Sequence, residues 1–101
     1  MQEEAKFVIE VSAPVKAEKT DRPDDPEVKS TPTIEGVTIK EACSQTGWIR
    51  SITVNGRCYK QMCCNGQWLY YYKDTPQGRV WCTCDLGQSW TVCGGYILPC
   101  R

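Results

Sequence analysis

The chain has 101 residues, twelve acidic and twelve basic side chains and no histidine, enough for one small domain and too few for a large apolar core. Its neutrality averages two unlike halves: residues 1–42 hold ten acids and six bases, net −4, and residues 43–101 hold six bases and two acids, net +4. That +4 is too weak and too scattered to argue for nucleic acid, no run approaches the roughly 20 apolar residues of a membrane span, and the lack of histidine removes conventional Ser-His and Cys-His nucleophiles.

Taken in order, Met1-Gln2-Glu3-Glu4 has neither the basic start nor the apolar centre of a signal peptide. The expectation is a mature chain beginning near Gln2 behind an added initiator. Residues 1–42 read as a charged, largely disordered tail, because Pro, Lys, Glu, Asp, Ser and Thr from Pro14 to Pro32 bury too little to offset the entropy of ordering. Two stretches are exceptions with strand propensity, Phe7–Val11 and Gly36–Lys40. The first is expected to need a sheet edge to hold it.

Residues 43–101 contain all eight cysteines and nine of the ten aromatics, and read as a separate all-β domain. Asn55-Gly56 and Asn65-Gly66 each sit between strand-like runs, and both residues of such a pair tolerate the positive φ of a type I′ hairpin turn. They divide strands at Trp48–Val54, Arg57–Cys63 and Gln67–Lys73. Asp74–Gly78 makes the next turn, Arg79–Cys84 a strand, Asp85–Gln88 a turn and Ser89–Cys93 the last clear strand. The fold class is a small disulfide-rich antiparallel meander, in two small sheets, with the tail attached.

Cys82-Thr83-Cys84 admits three uses: a metal clamp, a redox pair or disulfide anchors. Zinc sites favour paired ligands, usually with histidine, and Cys-X-Cys occurs once here; no Cys-X-X-Cys is present for thiol redox chemistry. Disulfides are the expected use, in an oxidising compartment, with no metal and no cofactor. On a strand Cys82 and Cys84 share a face, whereas adjacent Cys63 and Cys64 point to opposite faces, so their bridges diverge unless they bond each other. No catalytic residue is expected: Asp74 and Asp85, the only carboxylate side chains of this half, both lie in turns.

Alternation in Gln67–Tyr72 puts Trp68, Tyr70 and Tyr72 on one face and Leu69 and Tyr71 on the other. Either one row packs the core and the other is surface, or a sheet this thin offers one aromatic row to a partner. Arg57, Lys60, Lys73 and Arg79 would then rim the site and favour an acidic protein.

Cys58-Tyr59, Gln67-Trp68, Cys82-Thr83-Cys84, Gly87 and Cys93 together resemble a fibronectin type I (finger) module, a pattern related to the first half of a von Willebrand type C module. The resemblance covers about residues 58–93. It implies the bridges Cys58–Cys84 and Cys82–Cys93. Beyond them, one of Cys63 and Cys64 is expected to bond Cys43 and the other Cys100. It also implies a peptide-accepting last strand lined by Ser89, Trp90, Thr91 and Val92. The alternative is that Tyr96–Cys100 or Phe7–Val11 covers that edge. The resulting expectation is a secreted, extracellular, monomeric, non-enzymatic module that binds a protein or peptide in matrix, adhesion or haemostasis-type recognition. The alternatives are a secreted inhibitor of a protease or host-defence protein, presenting Asp74–Gly78, and a diffusible signal or toxin.

Overall fold

The structure, a computed structural model, describes residues 9–38 and 41–101. Phe7 and Val8 of the first strand candidate, and Ile39 and Lys40 of the second, lie outside the described residues. Those that are described form only strands, turns and irregular segments: β1 Ile9–Val11, β2 Val15–Lys16, β3 Val28–Thr31, β4 Thr33–Ile34, β5 Val37–Thr38, β6 Trp48–Val54, β7 Arg57–Cys64, β8 Gln67–Thr75, β9 Gly78–Trp81, β10 Gln88–Val92 and β11 Tyr96–Cys100. The all-β, antiparallel, disulfide-rich class is therefore the fold. The strands form one seven-stranded sheet and two separate hairpins, rather than two small sheets.

The meander β6–β7–β8–β9 follows from its turns. Asn55-Gly56 has φ of 51° and 83°, and Asn65-Gly66 has φ of 54° and 86°. Positive φ at both central positions is the type I′ geometry whose twist matches that of the flanking strands. Glu35-Gly36, with φ of 49° and 76°, makes the same turn between β4 and β5.

Above Gln61, β7 and β8 part. Residues 78–84 enter the fork: β9 pairs with β8 from Tyr72↔Trp81 to Thr75↔Gly78, and then Thr83 bridges Tyr59 of β7. The Cys82 amide donates to the Tyr71 carbonyl and the Lys60 amide to the Cys82 carbonyl, so one short segment satisfies both prongs. Thus the strand expected over Arg79–Cys84 ends at Trp81 and continues as a bridging segment.

The segment composition predicts to be a largely disordered tail departs most from expectation. Residues 9–38 run around the domain. β1 and β2 add to the outer side of β6, and β3 adds to the outer side of β8. Between them, the Thr20 amide donates to the Gly95 carbonyl, the Ile97 amide to the Glu18 carbonyl and the Asp25 amide to the Thr91 carbonyl. The Asp24 carboxylate accepts from the Gly94 and Gly95 amides at 2.8–3.0 Å. What composition misses is that the sheet edges and the β10–β11 hairpin supply hydrogen-bond partners that a free polar segment lacks.

Each face of the large sheet carries its own core. On one, β10–β11 packs Trp90, Val92 and Leu98 against Ile49, Met62 and Tyr71. On the other, β4–β5 lays Ile34 and Val37 over Ile52, Val54, Tyr59 and Tyr70.

All eight cysteines are paired: Cys43–Cys63, Cys58–Cys84, Cys64–Cys93 and Cys82–Cys100. Cys63 and Cys64 diverge to opposite faces, as strand alternation demands. The implied Cys82–Cys93 bridge is not formed, and Cys64 does not bond Cys100. The register of β10–β11 explains both. Cys100 lies opposite Gln88 at the open end of the hairpin, five residues from Cys93 at its turn, a distance of roughly 16 Å along a strand. Cys82 has its Cα 5.0 Å from that of Cys100, so Cys93 is beyond the roughly 7 Å Cα limit of a disulfide.

Candidate functional site

The residues that sequence reasoning singles out for binding are mostly interior. Trp68, Tyr70, Tyr71 and Tyr72 are buried and Leu69 is half-buried, because each sheet face has a hairpin over it. Trp90, Thr91 and Val92 are buried and only Ser89 is exposed. β10 is no open edge: β11 pairs along one side, from Gln88↔Cys100 to Val92↔Tyr96. On the other side Thr91 exchanges hydrogen bonds with Asp25, its amide donating to Oδ2 at 3.0 Å. Neither proposed surface is free.

The expected basic rim is also divided. Arg57 pairs with Glu35 of the β4–β5 turn at 3.0 Å, latching that hairpin down. Arg79 lies over the Tyr72 ring at 3.9 Å and pairs with Asp74. Lys73 sits over Trp90 at 5.4 Å, and Lys60 donates to Ser51 Oγ.

What remains exposed and apolar lies at the edge that Phe7–Val11 was expected to need. Among the described residues the exposed large hydrophobic side chains are Ile9, Val11 and Val15, at 40%, 45% and 60%. All three belong to β1 and β2. Ile9 and Val11 stand opposite Val54 and Ile52, and so continue the second core beyond the reach of the β4–β5 hairpin. The opposite sheet edge, β3, instead presents Lys29 and Ser30 to solvent.

The β1–β2 edge is interrupted where residues 12–14 oppose only Arg50 and Ser51, since the pairing runs Val11↔Ile52 and then Val15↔Ile49. This bulge carries Pro14, which has no N–H to offer a neighbour. Ser12 braces it: its amide donates to the Ser51 carbonyl, and its Oγ accepts from the Ser51 amide at 2.8 Å. Next to the bulge, Pro14, Trp48, Trp68 and the loop Ala42–Gln45 line a cleft of about 360 Å³.

Behind this edge lies a polar row that no sequence motif announces. Arg50, Gln61 and Tyr70 stand in register across β6, β7 and β8. Arg50 is only 5% exposed. Its Nε donates to Gln61 Oε1 at 2.9 Å, its Nη1 donates to Glu41 Oε2, and its guanidinium lies 4.2 Å over the Trp68 ring. Burial pushes the Tyr70 hydroxyl up to about 12, with the Arg50 charge pulling the other way. Burial likewise raises Tyr71. Arg50 Nη2, Gln61 Nε2 and the Tyr70 hydroxyl are buried without a hydrogen-bond partner among the described residues. The one available signal was a charged residue inside an otherwise alternating strand, Trp48-Ile49-Arg50-Ser51-Ile52.

No helix among the described residues is long and apolar enough to cross a membrane. No protein-family model, curated protein or solved structure matches this chain.

Proposed function

We propose that this protein is a secreted, extracellular recognition module that acts as a monomer on other proteins and carries no enzymatic activity of its own. Four disulfides in a domain this small are the kind of framework that persists outside the reducing cytosol. The resemblance of residues 58–93 to the finger module, of whose two implied bridges Cys58–Cys84 forms and Cys82–Cys93 does not, is what suggests a matrix, adhesion or haemostasis setting.

One observation carries the reading of how it binds: the exposed apolar side chains gather on one outer edge, β1–β2, beside the Trp48–Trp68 cleft. A half-apolar edge strand is a template for an extended partner segment, with main-chain hydrogen bonds for affinity and side-chain pockets for selectivity. Pro14 and the bulge confine pairing to β1 and so oppose edge-to-edge aggregation.

The test is affinity capture from extracellular fluid by the full chain, with Val11→Lys as the comparison. The native chain is expected to retain a defined partner, and Val11→Lys to lower its recovery at least tenfold while melting at the native temperature. Equal recovery would remove the edge from consideration. Inhibition across a protease panel that disappears on substituting Asp74–Gly78 would favour the inhibitor reading instead.

A further inference from the structure

The buried row behind the edge has more donors than the protein uses. Arg50 gives one guanidinium nitrogen to Glu41 and another to Gln61, and leaves Nη2 unpartnered. Among the described residues the Gln61 amide nitrogen and the Tyr70 hydroxyl are also unpartnered, on the same transverse row. A buried donor left unmade carries a desolvation penalty, so each of these three gains from any acceptor that reaches it. The side chain now serving Arg50 reaches in from solvent: Glu41 is 60% exposed and engages a single guanidinium nitrogen. A guanidinium can instead clasp both oxygens of a carboxylate.

The row itself lines neither neighbouring cleft, but the two side chains that cover Arg50, Glu41 and Trp68, open onto them. Glu41, Thr38, Ala42 and Trp68 line a cleft of about 400 Å³. The cleft beside Pro14 reaches the same Trp68, whose ring underlies the guanidinium. Arg50 also stands on β6, the strand next to the proposed recognition edge, on the face that carries Ile9 and Val11.

We propose that the Arg50–Gln61–Tyr70 row is a receptor for one carboxylate of an acidic partner segment, and that Glu41 is its resident, displaceable occupant. This rests on the recognition reading above and specifies the partner's chemistry. Exchange of one carboxylate for another leaves Arg50 neutralised throughout, so no unpaired charge is stranded in the interior. The incoming group gains the donors at Nη2 and Gln61 Nε2 that Glu41 does not meet. Because Glu41 is tethered, it competes at an effective concentration in the millimolar range, and free carboxylates bind the native chain feebly.

Acetate is the probe, titrated at constant ionic strength against chloride and followed by the NMR signals of the Arg50 Nε–H and the Trp68 indole. Glu41→Ala is expected to bind acetate saturably and at least tenfold more tightly than the native chain. Adding Arg50→Lys should abolish saturation. Glu41→Gln, which keeps the side-chain volume, should fall between native and Glu41→Ala. Shifts in Glu41→Ala and Glu41→Gln that are linear in acetate and matched by chloride would overturn the site. The recognition reading fails separately, through equal capture by Val11→Lys, so the two outcomes are distinguishable.

Discussion

Tyr70 and Tyr71 neighbour each other in β8 and point to opposite cores, and both hydroxyls are buried deeply enough to raise their ionisation. A tyrosine whose folded value exceeds its unfolded value of about 10 contributes stability that is intact below pH 10 and lost as pH rises further. Unfolding free energy, measured by denaturant titration across that range, is therefore expected to fall between pH 10 and about 12. Tyr70→Phe should flatten that fall. It also removes a hydroxyl with no partner, so at neutral pH it should be neutral or stabilising by up to about 1 kcal/mol. Gly95 is constrained the other way. Its φ is +104°, and a Cβ there would sit 2.6 Å from the Thr20 carbonyl. Gly95→Ala is expected to cost roughly 2–3 kcal/mol in a urea titration, from backbone strain together with the broken Thr20–Gly95 contact. Alternation in the sequence places Trp68, Tyr70 and Tyr72 together correctly. It carries no information on whether a hairpin distant in the chain will cover them.

At the scale of elements, Asn-Gly pairs announce β6–β7 and β7–β8 because their φ preference is local. The β4–β5 turn uses Glu35-Gly36, a pair without that signature, and so this hairpin goes unannounced. It nonetheless supplies Ile34, which is almost fully buried and closes the second core over Ile52, Val54 and Tyr59. Ile34→Ala should cost about 2–5 kcal/mol, measured by chemical denaturation. Removing residues 1–42 would take away β1 to β5 together, leave both outer edges of the large sheet unpaired and uncover Tyr59 and Tyr70. Residues 43–101 alone are therefore expected to show poor amide protection in β6 and β8 by hydrogen exchange, even with every disulfide formed. Native-like protection in that fragment would mean the wrapping segment is dispensable.

For the whole molecule, cross-links join elements that lie far apart along the chain. Cys64–Cys93 and Cys82–Cys100 fasten the two ends of the β10–β11 hairpin to one sheet face, and Cys43–Cys63 fastens the chain from the β4–β5 hairpin to the other. With sequence separations of 18–29 residues, each bridge restricts the unfolded chain by about 3 kcal/mol in the chain-entropy picture. That is a large share of the net stability of any small domain. The native protein is expected to show no thiol reactive to a colorimetric reagent, and peptide mapping should recover these four pairs. Replacing Cys64 and Cys93 together by serine should cost about 3 kcal/mol while leaving β6–β8 paired.

The all-β class, the positions of the β6–β8 meander and its turns, and the commitment of the cysteines to disulfides are legible in the residues alone. Those features depend on side-chain alternation, on the φ preferences of adjacent residues and on composition, all of which act over a few positions. Tertiary structure alone decided that Cys82 bonds Cys100, that a polar leader becomes three edge strands and a covering hairpin, and that Arg50 lies buried beside unused donors. Each of these rests on which distant segments meet in space and on the hydrogen bonds an exposed edge or hairpin can offer. Those are properties of the assembled sheet, and no local stretch of residues encodes them.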